Sequence, residues 1–267
     1  MSDVEVLSRL GRILSEGKPA VLCTIVEKRD SGPRDEGAKM LVHPDGSTFG
    51  TIGGGGMERR LVEEALEAIR EGRPRTITFT MGVEPKEGAV SVDSKCGGEV
   101  KVFLDVMKSD PRLIVVGSGH IGKPLADLAH AVGFEIIVVD DALTANPERF
   151  PYAKKILSGP FEEELKKIDL KPSDFVAIVH GETPYELAAL RCFLSHKPAY
   201  IGLLGSRNKA REHKGQLISE GYSKEDVEQI SAPIGLDIGA ETAEEIAVSI
   251  IAELIEVRRR GQPRRAS

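Results

Sequence analysis

The chain has 267 residues, of which 40% are hydrophobic and 29% are charged. This composition is ordinary for a packed globular protein and excludes overall disorder, while the length is typical of two domains. A formal net charge of -6 argues against a protein that binds nucleic acid through a basic face.

The cysteines and the N-terminal residues indicate in which cellular compartment the protein is expected. The 3 cysteines include no CxxC pair, which fits a reducing environment better than a disulfide framework. The N-terminus is acidic, and no apolar run approaches the roughly 20 residues of a membrane helix. We therefore expect a cytoplasmic protein that binds neither nucleic acid nor membranes.

The first part of the chain mixes two helical patterns with several short apolar runs. Helical periodicity predicts helices over residues 4–16 and 57–70. Strands are predicted over residues 20–26, 38–42, 48–52, 76–81 and 99–106. A mixed sheet with few helices is an α+β pattern.

Residues 108–111, Lys-Ser-Asp-Pro, predict a linker, so we expect domains over 1–108 and 109–267. Beyond the linker, strands and helices alternate. Strands are predicted over 113–116, 135–139, 155–157, 174–179 and 200–204, and helices over 121–131, 161–167, 184–195, 208–220 and 243–258. Continuous apolar strands with intervening helices indicate a doubly wound parallel sheet. The predicted fold class is therefore α/β, with an N-terminal α+β domain followed by a Rossmann-like domain.

The segment Gly117-Ser-Gly119-His-Ile-Gly122 fits the GxGxxG pattern of dinucleotide-binding sheets. It follows a strand, opens a helix and precedes Asp140, which ends the next strand and can take a ribose hydroxyl pair. The helix N-terminus offers N–H groups to a phosphate. The alternative is a Rossmann sheet that keeps the turn without binding a nucleotide. His120 either contacts the ligand or caps the helix.

Glycine clusters mark two further candidates. Gly53–Gly56 directly precedes a helix and forms either an anion-binding cradle or a tight connection. Glu58, at the helix start, interacts favourably with the helix dipole in either case. Cys96 precedes two more glycines, and the neighbouring Lys95 favours the reactive thiolate; a small buried side chain is an equal alternative. No Cys/His grouping has zinc spacing, so we predict no metal site.

Two loops complete the candidates. Residues 24–39 hold Arg34 and Lys39 in a Gly/Pro loop, which suits an anionic ligand or a solvated hairpin. Gly205 and Ser206 follow a predicted strand at the edge where doubly wound sheets bind ligands, although Ser206 is equally a helix cap. His180 ends another strand on the same predicted edge.

Together these stretches resemble the XdhC/CoxI family over nearly the whole chain. The matching motifs are Ser31-Gly-Pro-Arg34, Gly37-Ala-Lys-Met40, Gly50-Thr-Ile-Gly-Gly-Gly55, Glu58, Cys96-Gly-Gly98, Gly117-Ser-Gly-His120, Gly202-Leu-Leu-Gly-Ser-Arg207 and Pro233-Ile-Gly-Leu-Asp-Ile-Gly-Ala-Glu-Thr242. The resemblance implies a maturation factor rather than a dehydrogenase. Such proteins bind the molybdenum cofactor, as molybdopterin or its dinucleotide form. They protect it during sulfuration by a cysteine-desulfurase-type partner and support its insertion into a xanthine dehydrogenase- or CO dehydrogenase-type hydroxylase. Homodimers are common among them.

On this basis the Rossmann-like domain is expected to hold the phosphate or nucleotide part of the cofactor, through Gly117, Gly119, His120, Gly122, Asp140, Gly205 and Ser206. The N-terminal domain is expected to cover the pterin and the metal, with Gly54, Gly55, Glu58 and Cys96 close by and with Cys96 and Glu58 in reactive roles. Two alternatives remain open: an NAD(P)-dependent oxidoreductase, and a scaffold that binds no cofactor.

The chain departs from the family pattern at three places. The glycine cluster has Gly56 where many members have a cysteine, the strand that ends at His180 lacks a second histidine, and Asp140 is not followed closely by an arginine. The first departure weakens a mechanism with two thiols, and the second weakens a metal or acid–base role for His180.

Overall fold

The computed structural model describes residues 2–81, 89–92 and 97–260. The chain divides into two compact units, Met1–Ser109 and Asp110–Ser267, and each is built around its own six-stranded sheet. Among the described residues, no helix is both long and apolar enough to cross a membrane.

The N-terminal unit is a mixed sheet with two helices. Its elements are α1 (Asp3–Ser15), β1 (Ala20–Asp30), β2 (Lys39–Val42), β3 (Thr48–Gly50), α2 (Gly55–Glu71), β4 (Arg75–Met81), β5 (Ala89–Val92) and β6 (Gly98–Met107). The strand order is β3-β2-β1-β6-β4-β5, antiparallel throughout except for the parallel pair β4–β5. The prediction of a mixed sheet in this part of the chain is confirmed.

Alternate side chains of β2 pack against different helices, α2 on one face of the sheet and α1 on the other. Met40 and Val42 of β2 belong to the core formed with α2, whereas Leu41 packs with α1. Successive side chains of a strand point to opposite faces, so both sides of the sheet are covered. The start of α1 is fixed by a capping box, in which Ser2 Oγ accepts the Glu5 N–H at 3.3 Å and Glu5 Oε2 accepts the Ser2 N–H at 2.7 Å.

The C-terminal unit alternates strands and helices. Its elements are β7 (Arg112–Val116), α3 (Gly122–Ala131), β8 (Glu135–Val139), β9 (Lys155–Leu157), α4 (Phe161–Lys166), β10 (Phe175–Ile178), α5 (Thr183–Phe193), a 3-10 turn (Leu194–His196), β11 (Tyr200–Leu203), α6 (Arg207–Ser219), α7 (Lys224–Glu228), β12 (Ile230–Ser231) and α8 (Ala243–Arg260). The order β12-β11-β10-β7-β8-β9 is parallel at every pairing, which confirms the predicted Rossmann-like sheet.

This strand order places a switch point between β7 and β10. The chain runs outward from β7 through β8 and β9, then returns to pair β10 with the other side of β7. In doubly wound sheets the crevice at the carboxyl ends of such strands is the usual ligand site. The loops that follow β7, β8, β10 and β11 therefore define the candidate site in this unit.

Several elements differ from the sequence-based expectation. β1 continues through the charged residues 27–30, which pair with the first residues of β6. Three short elements, β5, α7 and β12, were also not predicted; they are 4, 5 and 2 residues long. Periodicity is a weak signal in elements this short, although the three-residue strand β9 was predicted from its apolar residues.

Candidate functional site

Gly117 lets the turn after β7 lie against the loop after β10. Its φ is +109°, and a Cβ built on it would lie 2.6 Å from His180 Cα. Gly122 has a second steric role, since a Cβ there would lie 1.9 Å from the Gly117 carbonyl oxygen. Both glycines therefore permit close packing, of loop on loop and of helix on turn.

Gly119 differs from its two neighbours in the motif. It is exposed, and a Cβ built on it would meet no atom of the described residues within 4 Å. The N-cap of α3, Ile121, has no polar side-chain atom that could cap the helix. In the first turn, the Lys123 N–H donates to the Gly119 carbonyl at 3.1 Å, and Pro124 has no N–H. His120 is exposed beside the turn.

Asp140 fastens the glycine turn to the end of β8. It is only 4% exposed. Its Oδ2 accepts the Ser118 N–H at 2.6 Å and the Ser118 hydroxyl at 2.8 Å, and its Oδ1 accepts the Ala142 N–H at 3.1 Å. A ribose hydroxyl pair would have to replace some of these contacts. Burial alone would raise the pKa of Asp140, but the interactions with His180 and Ser118 outweigh it and lower that pKa.

His180 lies beside Asp140 at the switch point. Its Nε2 is 3.5 Å from Asp140 Oδ1, and its ring stacks on Tyr185 at a centroid distance of 4.0 Å. The carboxylate of Asp140 raises the pKa of His180 against the opposing effect of burial. The Tyr185 hydroxyl in turn donates to Asp141 at 2.7 Å. One donor atom each from Asp140, Asp141 and His180 lies within 4.8 Å of the others, so these three residues can hold a metal ion.

Arg149 supplies a cation at the glycine turn that was not predicted from the sequence. Its Nη2 donates to the Gly119 carbonyl at 3.4 Å, and its buried Nε has no hydrogen-bond partner in the described part of the chain. The family pattern often has an arginine directly after the acidic residue, and this chain lacks it; instead the loop between β8 and β9 brings Arg149 back to the turn. No local sequence signal marks this return.

The loops after β10 and β11 are held together by a hydrogen-bond network that reaches the buried residues Glu186 and His213. Ser206 caps α6 by accepting the Lys209 N–H at 3.2 Å. Lys209 Nζ donates to the Gly181 carbonyl at 3.1 Å and to Glu186 at 2.8 Å, and His213 Nε2 lies 3.0 Å from the same carboxylate. The structure thus gives Ser206 a capping role and fixes its loop to the one that holds His180.

Three glycine-containing motifs of the N-terminal unit meet at one junction. A Cβ on Gly53 would lie 2.2 Å from Pro33 Cγ, and a Cβ on Gly98 would lie 2.1 Å from the Ser31 carbonyl oxygen. The loop after β1 therefore contacts both the loop before α2 and the start of β6. We call these three segments the N-terminal loop junction.

Other glycines near the junction face open space. A Cβ on Gly54, Gly55 or Gly97 would meet no atom of residues 2–81, 89–92 or 97–260 within 4 Å, and all three residues are exposed. Glu58 shapes the loop before α2, because its Oε1 accepts the Thr51 hydroxyl at 2.6 Å and the Ile52 N–H at 3.2 Å. Its local role is therefore to hold the loop that presents the glycines.

The cations and cysteines named as candidates fall in separate places. Lys39 donates to Asp3 of α1 at 2.8 Å, while Arg34 is exposed. Cys96 lies outside the described residues. Cys23 lies in the N-terminal core, where burial raises its pKa to about 12, and burial also raises the pKa of Cys192.

Comparison with known families settles what kind of protein carries these loops. Residues 113–254, more than half of the chain, match the XdhC Rossmann domain, and residues 13–80 match the XdhC and CoxI family. The chain belongs to the XdhC/CoxI family. The resemblance noted from its motifs is thereby confirmed.

Three curated relatives of this XdhC/CoxI chain come from two bacteria. The uncharacterized protein YqeB of Escherichia coli is 37% identical over 96% of this chain and 46% of its own length. A probable xanthine dehydrogenase subunit of Bacillus subtilis is 34% identical over 60% of this chain and 46% of its own. The molybdenum cofactor insertion chaperone PaoD of E. coli is 28% identical over 92% of this chain and 85% of its own. The chain thus spans about half the length of the first two.

A solved structure shares the architecture. A crystal structure described as a xanthine dehydrogenase from Bacillus halodurans is 26% identical, with a TM-score of 0.51, and the match covers 98% of this chain and 97% of that one. The similarity therefore extends over both units of the XdhC/CoxI chain.

The XdhC/CoxI motif at residues 233–242 is anchored by a buried acid on α8. Glu253 accepts hydrogen bonds from the Tyr200 hydroxyl at 2.7 Å, the Ser231 hydroxyl at 2.6 Å and the Gly235 N–H at 2.5 Å. Glu253 thereby connects β11, β12 and the motif loop. Sequence reasoning missed this acid because it lies in an otherwise ordinary amphipathic helix.

Proposed function

We propose that this chain binds the molybdenum cofactor, as molybdopterin or its dinucleotide form, and assists its sulfuration and insertion into a xanthine dehydrogenase- or CO dehydrogenase-type hydroxylase. The partners in this proposal are the hydroxylase apoenzyme and a cysteine-desulfurase-type sulfur donor, and the working form is a homodimer. The observation that carries the proposal is the similarity to the insertion chaperone PaoD over 92% of the chain.

The C-terminal unit has features that suit the anionic end of such a cofactor. Gly119 presents exposed backbone at the start of α3, and the guanidinium of Arg149 reaches the same turn. The positive end of the helix dipole and a guanidinium both favour phosphate. We therefore assign the phosphate or nucleotide part of the cofactor to this turn, with His120, Gly205 and Ser206 lining the same edge.

The N-terminal unit is assigned to the pterin and the metal. The exposed glycines Gly54 and Gly55 allow a flat ring system to approach the backbone. In this proposal Cys96 contacts the molybdenum or its sulfur transiently, while Glu58 holds the loop before α2. If a Cys96→Ser variant still supports full sulfuration of the hydroxylase, the Cys96 thiol takes no part in the mechanism.

The test is to measure cofactor binding directly. The protein is purified from a molybdenum-replete host, and bound pterin is quantified by fluorescence after oxidation and identified by mass spectrometry. A Gly119→Asp variant places a carboxylate in the open space of the turn and should lower pterin occupancy by about tenfold or more through repulsion of the phosphate. Gly215→Asp is the matched control, because Gly215 also faces open space, past the middle of α6.

Stoichiometric molybdopterin in the unmodified chain and in Gly215→Asp, with loss in Gly119→Asp, supports the proposal, and the ligand mass tells whether a dinucleotide tail is present. Bound NAD(P) and no pterin would instead favour the oxidoreductase. A chain that stays empty after incubation with free cofactor, yet still binds the hydroxylase, would favour the scaffold.

A further inference from the structure

Asp140, Asp141 and His180 form a cluster of potential metal ligands at the carboxyl edge of the parallel sheet. We propose that these three residues bind one divalent transition-metal ion. Linear spacing predicted no metal site here, because the ligands follow two different strands, β8 and β10. The switch point of the sheet brings them together across β7.

The distances are compatible with shared coordination. One donor atom from each residue lies within 4.8 Å of the other two. Donors bound to one metal at about 2.1 Å lie at most about 4.2 Å apart, so any adjustment needed is small. Asp141 is exposed and can supply that movement, whereas Asp140 is fixed by Ser118.

His180 provides a second observation that points to a ligand. Its side chain is nine-tenths buried, at 10% exposure, and its Nε2 faces Asp140 Oδ1 at 3.5 Å, which is long for a hydrogen bond. The buried Nδ1 has no hydrogen-bond partner among the residues that the structure describes. The ring is held in this orientation by stacking on Tyr185 and by an edge contact with Phe161. A buried imidazole held in place with its Nε2 towards a carboxylate is preorganised to ligate a cation between the two groups.

Charge gives an independent reason for a cation at this edge. Asp140, Asp141 and Glu182 all act electrostatically on His180, so three carboxylates share a small region. Nearby, Lys209 is already paired with Glu186. A divalent ion bound to Asp140 and Asp141 would offset the negative charge of these carboxylates.

The donor set indicates the class of metal. One imidazole nitrogen with two carboxylate oxygens suits zinc or manganese, whereas calcium and magnesium favour sites built from oxygen alone. Three protein ligands leave at least one coordination position for water or a further ligand. The proposal concerns metal binding alone and stands whether or not the chain carries a molybdenum cofactor.

The experiment is a titration of the full chain, freed of metal by chelation, with MnCl2. Free Mn²⁺ is measured by its electron paramagnetic resonance signal, and ZnCl2 is then added as a competitor. We expect one Mn²⁺ per chain, displaced by Zn²⁺. Asp141→Asn should weaken binding by about tenfold or more, and His180→Ala should do the same.

Glu182→Gln is the matched control, because it removes the same charge from the same edge without removing a proposed ligand. Its Mn²⁺ affinity should change by less than about threefold. Circular dichroism of each metal-free variant checks that it folds. Equal weakening by Glu182→Gln and Asp141→Asn would overturn the proposal in favour of diffuse attraction, as would the absence of stoichiometric binding of either metal.

Discussion

At the scale of single residues, glycines in one motif have different physical tasks. Gly122 leaves room for the Gly117 carbonyl, whereas the space beside Gly119 holds no atom of the described residues. The close packing at Gly122 is needed for the chain to fold. The open space beside Gly119 is not needed for folding, and it leaves the turn accessible to another molecule. The structure therefore distinguishes Gly122, which is required for packing, from Gly119, which is not, although the GxGxxG pattern treats the two alike.

Two alanine variants test this separation. Gly122→Ala should lower the free energy of unfolding by about 3 kcal/mol, because its Cβ would overlap backbone. Gly119→Ala should change that free energy by less than about 0.5 kcal/mol. Urea denaturation followed by circular dichroism measures both. Equal midpoints for the two variants would contradict the assignment.

At the scale of elements, charged side chains join helices that pack on the same side of the parallel sheet. Arg191 of α5 donates from Nε and Nη2 to the carboxylate of Glu220, which follows α6, at 2.8 Å and 2.6 Å. The hydrogen bonds from Arg191 lower the pKa of Glu220 from its ordinary 4.5 to about 2. This bidentate contact secures the C-terminal end of α6, whose N-terminal end carries the Ser206 loop.

The lowered pKa fixes the sign of a pH effect. The ionised Glu220 stabilises the fold fully above about pH 4.5, and this contribution is lost as the pH falls towards 2. The unmodified chain should therefore exceed Glu220→Gln in urea midpoint at neutral pH, and the difference should shrink as the pH falls from about 4.5 and vanish only below about pH 2. Glu225→Gln, on α7, controls for loss of an exposed carboxylate. A difference that persists unchanged at low pH would refute this account.

At the scale of the whole molecule, each unit has its own hydrophobic cores. Two clusters in the N-terminal unit draw on residues 6–107, and two in the C-terminal unit draw on residues 113–257. All strands of each sheet likewise come from one unit. The physical basis for stability is therefore present in each half.

This organisation predicts that residues 110–267 fold when expressed alone. The fragment should keep its far-ultraviolet circular dichroism and unfold in urea in one cooperative transition, because its sheet and its cores are complete. A broad transition, together with binding of a hydrophobic dye, would show that it needs the N-terminal unit.

Much of the fold could be predicted from sequence because its signals are local. Helical periodicity located α1, α2, α3 and α8, and continuous apolar runs located the parallel strands. The last residues of β1 were missed because Glu27 and its charged neighbours form a strand only through pairing with β6. Tertiary pairing of this kind overrides local propensity.

The candidate site also contains features that could be predicted from local sequence and features that could not. Glycine turns and the acid that ends β8 have local signatures. The return of Arg149 to a turn 30 positions earlier has none, and neither has the approach of His180 to Asp140. These contacts depend on strand order, which is a property of the assembled sheet.

The N-terminal loop junction has a consequence for how this family can be recombined. Pro33 occupies the space that a side chain at position 53 would need, and the Ser31 backbone occupies the space beside position 98. A crossover that imported only one of the three segments from a distant homologue, with a larger residue at either glycine, would create a steric clash. We therefore expect functional chimaeras to require the exchange of all three segments together, for example as residues 1–108.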